Sequence, residues 1–326
     1  MKNMHRTGER TLNIVAHQDD GLLFLSPHLL QVLQAGHAVR TIFLTAGDNG
    51  TDAHYWQERE RGIQAAYAQM CSSANVWRQE DAGIAQHPIP LYILSNHSHV
   101  SLAFFRLPDG NMDGSGFAST HHTSLQQLWT GVISTIEAVD GSSSYDKTSL
   151  IETLTALMVA FQPDHIHTQD YVGSYGDGDH SDHHSVAYLV RAAAQHYPGL
   201  NRLTAYEGYP TAVRPANITG HDLLVKQDVF CTYAHFDQII RNKQRTFPES
   251  WWKDAELSQR ALALRVQITR IRHWLKTRLR HLIRYNLLPG ADGTYSIWLQ
   301  RQYILDEQVR TAIPSRVEKI RCDPDT

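Results

Sequence analysis

The sequence predicts an α/β fold: a mainly parallel, Rossmann-like sheet with helices on both faces, followed by a helical C-terminal extension. Three observations predict it. Short apolar runs of strand length recur up to about residue 215, separated by segments with helical periodicity. The clearest of these runs end in polar loops rich in Gly, Asp, Asn or His, and an open α/β sheet keeps its chemistry at the carboxyl ends of its strands. Beyond residue 215 the strand pattern gives way to an amphipathic, basic segment.

The elements follow in order. Leu12 to Ala16 is an apolar run ending at His17-Gln18-Asp19-Asp20, and the periodic stretch Leu22 to Leu33 reads as a helix stopped by Gly36. Ala38 to Thr45 is a β-branched strand ending in AGDNGTD, and Tyr55 to Met70 reads as the next helix. Residues 83–125 loosen around one strand, Val100 to Leu107, which runs into PDGNMDGSG, a turn-rich connection or a substrate-facing loop. Two helices are expected over Leu125 to Val139 and Ser149 to Phe161, with DGSSSYDK between them. A third strand-loop-helix unit comprises Asp164 to Thr168, a Gly/Asp/His-rich loop, and the helix His184 to His196. A strand at Leu203 to Tyr206 and the loop EGYP close the core near residue 215. The expected division is therefore a catalytic α/β domain over 1–215 and a mainly helical extension over 216–326 packed on it.

The extension differs in charge as well as pattern. Arg260 to Arg284 holds eight basic residues and no acid, leaving 22 basic against 33 acidic residues elsewhere, so the net charge of −3 conceals an acidic body and a basic helix. Leu257, Leu264, Ile268, Ile271, Leu275, Leu279 and Leu282 form its apolar stripe. The stripe suits docking on the core, with the basic face in solvent or against an anionic surface or partner.

Composition sets limits. With 42% apolar and 19% charged residues the chain can build a full core, which excludes disorder. The near-neutral balance argues against a dedicated nucleic-acid binder. Three distant cysteines, Cys71, Cys231 and Cys322, form neither a disulfide framework nor a CxxC site and favour a reducing compartment. No secretory apolar core or long apolar span appears, so a cytoplasmic location is expected.

Twenty histidines stand out, and their placement matters more than their number. A strand end that delivers His17, Asp19 and Asp20 together is costly unless something compensates the carboxylates, and a divalent metal does so. His17 and Asp20 can turn toward one ion, leaving Asp19 for its water; Asp20 alone would pass as a helix cap. The third unit offers Asp177, Asp179, His180, Asp182, His183 and His184 in a Gly-rich segment at a helix start. One His from that segment completes a three-ligand N/O set of the kind catalytic zinc takes. Zn2+ is the expected cofactor, with another divalent metal as the alternative.

The strand followed by AHQDD, the TAGDNG loop, the helix YWQERERGIQAAYAQM and the late HSDH together resemble the PIG-L/LmbE-like family of zinc-dependent N-acetylglucosamine deacetylases. The resemblance covers about residues 10–215. The family motifs usually read AHPDD and HPDH, so Gln18 and Ser181 depart at the two proline positions, neither of which is a ligand. The resemblance implies His17, Asp20 and His183 as zinc ligands and Asp19 as the general base toward a zinc-bound water. It implies that His180 assists the oxyanion or the leaving amine, and that Asp182 orients an imidazole. It places Arg59 at the substrate. Where some relatives carry a tyrosine ahead of the second motif, this chain has Gly178 and Asp179, with Tyr171 and Tyr175 the nearest substitutes.

Asp48 and His54 are weaker substrate-binding candidates, and Asp170 a plausible partner for a ligand. The expected function is removal of an N-acetyl group from an N-acetylglucosaminyl-type glycan, glycolipid or glycoconjugate. The rivals are a metallohydrolase of another amide or ester and a non-catalytic binding protein on the same scaffold. A dinucleotide enzyme is disfavoured because HQDDG, not GxGxxG, follows the first strand.

Overall fold

The computed structural model describes residues 8–244 and 295–310. Its centre is an eight-stranded mixed sheet in the order β10-β9-β8-β1-β2-β5-β4-β3. The strands are β1 (Arg10–Val15), β2 (Ala38–Thr45), β3 (Trp77–Asp81), β4 (Pro90–Leu94), β5 (Val100–Leu107), β8 (His165–Thr168), β9 (Asn201–Tyr206) and β10 (Ile304–Arg310). The five from β9 to β5 are mutually parallel, and β10, β4 and β3 add antiparallel edges. A separate ribbon joins β6 (Ile136–Glu137) to β7 (Ser144–Tyr145).

Both faces of the central strands are buried, as a parallel sheet requires. Leu12 and Ile14 of β1 pack with α3 (Leu125–Thr130), α4 (Lys147–Phe161) and α5 (Ser181–His196). Val15 and Phe43 face the opposite way, into a core shared with α1 (His28–Gln34), α2 (Ala53–Met70), α6 (Gly220–Ala234) and α8 (Ser296–Leu299). A short helix α7 (Gln238–Gln244) follows α6.

The sequence expectations meet the structure unevenly. The strands Ala38–Thr45 and Val100–Leu107 lie where expected. The helix expected over Leu22 to Leu33 is broken: a π-turn spans Gly21–Leu25 and α1 begins after Pro27, whose ring nitrogen has no N–H to continue a helix. The helix expected over Leu125 to Val139 stops after one and a half turns. Gly131 takes the left-handed conformation (φ 78°) that caps α3, and Ile136–Glu137 then enters the ribbon. The strands β3 and β4 were not expected, and β10 extends the sheet from beyond residue 215. The basic segment 260–284, with Trp251 and Trp252, lies outside the described residues.

Residues after 215 are tied firmly to the core. Lys226 of α6 is buried and donates to the backbone carbonyls of Leu23 (2.8 Å), Arg301 (3.1 Å) and Trp298 (3.4 Å). Burial pushes its pKa well down, while the three carbonyl dipoles satisfy its three donors. Among the described residues no helix is long and apolar enough to cross a membrane.

Candidate active site and metal centre

After β1 the chain places β2 and β5 on one side, whereas β8 and β9 lie on the other. The carboxyl ends of β1 and β8 therefore flank a topological switch point, the crevice where open α/β sheets bind ligands. Three strand ends converge there. β1 delivers His17, Asp19 and Asp20; β5 delivers Asp109; β8 leads through a Gly-rich loop into α5, whose N-cap is His180.

His17, Asp20 and His183 are buried, and one potential ligand atom from each lies within 4.8 Å of the others. His183 Nδ1 is 2.7 Å from Asp179 Oδ1, so a proton on Nδ1 leaves Nε2 with its lone pair. That Nε2 stands 3.1 Å from Asp20 Oδ1 yet has no hydrogen-bond partner. Asp182 Oδ2 lies 3.3 Å from His17 Nε2 and accepts from the Gly110 amide at 2.8 Å. The expectation that Asp182 orients an imidazole thus meets His17 as its partner. His17, Asp109, His180 and Asp182 form a second, contiguous donor group.

The electrostatics are those of a carboxylate-rich cleft. Burial favours a neutral His183, but Asp179 and Asp20 outweigh it and raise its pKa to about 10. Burial likewise opposes a charged His17, and Asp20 and Asp182 reverse it, holding the pKa well above the imidazole range. Asp20 titrates well below the carboxylate range because His183 and His17 overcome its desolvation. His180 goes the other way, pushed down to about 4 by burial and by His17. Its Nδ1 accepts from the Asp182 amide at 3.1 Å, so the neutral ring carries its proton on Nε2.

Asp19 has one oxygen committed. Arg59 Nη2 donates to Oδ1 at 2.7 Å, and Oδ2 has no hydrogen bond among the described residues. Burial raises the Asp19 pKa against the pull of Arg59. Arg59 itself is buried. Nη1 donates to the Gly47 carbonyl at 2.7 Å, and Nε donates to Tyr233 Oη at 2.6 Å beside Asp237 Oδ2 at 3.2 Å. This placement commits one N–H each of Nε, Nη1 and Nη2 to protein acceptors, so Arg59 supports Asp19 whether or not its remaining N–H groups meet a substrate. Gly47 makes the approach possible: its φ is +57°, and a Cβ there would sit 2.2 Å from Arg59 Nη1.

The weaker candidates separate. Asp48 is buried, with Oδ1 accepting from the Asp109 amide at 2.8 Å and Oδ2 from Gly50 at 3.1 Å, and burial raises its pKa to about 6. It holds the Asp109 loop and lines a neighbouring polar cavity with Thr51, Trp56, His121 and Glu137. His54 is exposed in the first turn of α2 and is not among the residues grouped at the cluster. Asp170 accepts from His184 through its backbone carbonyl, outside the His17–Asp20–His183 group. Tyr175 pairs with Ser185 at 3.0 Å, and Arg191 lies 5.3 Å over the Tyr171 ring, so neither tyrosine is turned to the cluster.

Three residues to which sequence reasoning assigned no role, Asp109, Tyr209 and Asp179, stand at the site. Asp109, from PDGNMDGSG, faces His180 Nε2 at 3.7 Å and His17 Nε2 at 3.9 Å. Only the length and Gly/Asp content of its loop signalled it. Tyr209, from EGYP, packs its ring 5.1 Å from His183 and 6.3 Å from His180, backed by Trp298 at 4.9 Å. Asp179 receives His183 Nδ1, the His180 amide and the Tyr209 amide on one oxygen. The i,i+4 spacing of Asp179 and His183 was the available signal. Asp179→Asn is expected to weaken metal binding about 10–100-fold, the usual cost of losing a carboxylate behind a ligating histidine. Metal titration checks it, and wild-type affinity would remove Asp179 from this role.

The residues fit a divalent cation. Three N/O donors converge, the buried His183 Nε2, Asp182 Oδ1 and Asp179 Oδ2 have no hydrogen-bond partner among the described residues, and carboxylates outnumber the imidazoles that could neutralise them.

No curated protein matches the sequence. A solved deacetylase of the teicoplanin biosynthesis pathway is similar at 15% identity and a TM-score of 0.42, over 70% of this chain and 84% of that one. N,N'-diacetylchitobiose deacetylase from Pyrococcus horikoshii aligns at 13% identity and TM-score 0.40, over 81% and 80%. The 4-carboxy-2-hydroxymuconate hydratase from Pseudomonas putida aligns at 14% and 0.39, over 96% and 99%. The family model described as PIG-L, GlcNAc-PI de-N-acetylase, matches residues 12–194, which takes in β1 with its His17–Asp20 loop and β8 with its HSDH helix. The chain belongs to the PIG-L family.

Proposed function

We propose that the protein is a metal-dependent hydrolase that removes the N-acetyl group from an N-acetylglucosaminyl-type substrate. The observation that carries this reading is the convergence of His17, Asp20 and His183 beside an Asp19 carboxylate, one oxygen of which has no hydrogen bond among the described residues. Family membership supports it, since the family's description is a de-N-acetylase of an N-acetylglucosaminyl lipid.

His17, Asp20 and His183 would hold the metal, zinc by donor type; when bound, it supplies Lewis acidity and eases deprotonation of water. Asp19 Oδ2 takes the proton of the attacking water while Arg59 holds Oδ1. The neutral His180 donates its Nε2–H to the substrate carbonyl oxygen as charge develops there. Asp182 and Asp179 keep His17 and His183 in the required orientation and tautomer. The amide C–N bond breaks, acetate takes the water oxygen, and the proton held on Asp19 goes to the departing amine.

Tyr209, backed by the buried Trp298 and Phe24, sets an aromatic ring on the His183 side of the site, which suits the face of a sugar ring. The test is an assay of metal-loaded protein against N-acetylglucosaminides, other N-acyl amines and simple esters, reading free amine and free acid. Amine release from the N-acetyl sugars is expected. Ester cleavage without amine release would move the reading to a different metallohydrolase, and inertness toward all three would leave the scaffold as a binding protein.

A further inference from the structure

The segment after residue 194 lies outside the part of the chain that matches the family, yet it reaches the catalytic loop. We propose that Asp237 and Tyr233 are positioning residues for Asp19, acting through Arg59 to hold one carboxylate oxygen fixed and leave the other free for the water. This rests on the reading of Asp19 as the general base.

The contacts form a continuous chain. Asp237 Oδ2 accepts from Tyr233 Oη at 3.0 Å, Tyr233 Oη accepts from Arg59 Nε at 2.6 Å, and Arg59 Nη2 donates to Asp19 Oδ1 at 2.7 Å. Tyr55 Oη donates to both Asp237 oxygens, at 3.2 and 3.3 Å, and the Ile239 and Ile240 amides donate to Oδ1 at 3.0 and 3.1 Å. Asp237 is thereby saturated and immobile. Tyr55, Arg59, Tyr233 and Asp237 are all buried, so none of these bonds competes with solvent. Gly62 permits the approach of α6: a Cβ there would press at 3.0 Å on Phe236, on the Tyr233 ring and on its backbone carbonyl.

The geometry explains why one carboxylate would be insufficient. An arginine on a helix has a long, rotatable stem, and a single ion pair leaves its fork free to swing. Here the Gly47 carbonyl at Nη1, and Tyr233 with Asp237 at Nε, fix the fork on two sides before it meets Asp19. A second carboxylate also shares the guanidinium charge, so Asp19 is not its sole counter-ion. Anchoring α6 would require only its burial against α2, not acceptors aimed at the side chain that holds Asp19.

The experiment uses the full-length, metal-loaded protein with Asp237→Asn, Asp237→Glu and Tyr233→Phe. Asp237→Asn is expected to lower kcat on an N-acetyl sugar at least about tenfold with KM within about twofold, since misplacing a catalytic group costs rate rather than binding. Zinc per chain should stay at the wild-type value, and Asp237→Glu should recover part of kcat. A folded Asp237→Asn with wild-type kcat overturns the proposal, as does a loss accounted for entirely by lost zinc. Should that variant fail to fold, Tyr233→Phe decides by the same readings. If the wild type releases no amine, the proposed function falls, and the clamp is read separately from solvent exchange of the Arg59 Nε–H. Slow exchange in the wild type and faster exchange in Asp237→Asn sustains it; equal exchange overturns it.

Discussion

Asp19→Asn is expected to lower kcat by about 10²–10⁴-fold while the protein keeps its metal, the range that a positioned general base contributes. The substitution is nearly isosteric. Its amide oxygen can still accept from Arg59 Nη2, and Asp237 still stands 3.2 Å from the Arg59 Nε, so the guanidinium is not stranded in the core. What is lost is the oxygen that has no hydrogen-bond partner among the described residues. Metal content by elemental analysis together with kcat and KM checks the outcome. Near-normal hydrolysis by the variant would mean that another group takes the water's proton, with Asp109, 3.7 Å from His180 Nε2, an alternative carboxylate.

His183→Ala should have the opposite signature, loss of the metal and of activity together. His183 is the residue on which both halves of the site meet, facing Asp20 from β1 and Asp179 from the start of α5. Without it two buried carboxylates lose their partner, a change that typically costs about 3–5 kcal/mol when one member of a buried pair is removed. Added zinc should raise the thermal midpoint of the wild type, because a ligand that binds only the folded state stabilises it by about 4 kcal/mol at a thousandfold excess over Kd. The variant should show no such rise. If His183→Ala still bound one zinc per chain with native affinity, the ligand assignment would be wrong.

The two substitutions separate the proposed base from the proposed ligand, and the residues they touch were legible as two clusters in the chain itself. His17, Asp19 and Asp20 sit within four residues directly after an apolar strand, and His180, Asp182 and His183 lie within four more at a helix start. Such patterns are local, so strand period and helix capping rules reach them. The alternation in β1 also shows why the cluster is split: Leu12 and Ile14 enter one core and Val15 the other, and the polar tetrad follows where the strand runs out.

Other features were hidden for identifiable reasons. Pro27 and Gly131 break helices that apolar periodicity alone would extend, because a missing N–H and a left-handed turn outweigh the period. The edge strands β3 and β4 are short, and β3 is mostly exposed, which erases the apolar signal. Arg59 has the local context of a substrate-facing arginine, and only the return of the chain at Tyr233 and Asp237 turns it into the support of Asp19.

The sequence by itself therefore determined the layered α/β class, the order of the central strands' precursors along the chain, and the two short motifs that carry the donor atoms. Each depends on interactions within a few residues, where spacing alone dictates which side chains share a face. Tertiary structure decided which atoms meet: His17 with Asp182 across 165 positions, Asp109 with both imidazoles, and Asp237 with Arg59. Those pairings depend on the strand order that brings β1, β5 and β8 to one crest and folds α6 back over α2. No local spacing encodes such an order, because it is the burial of whole faces, summed over the sheet, that selects it.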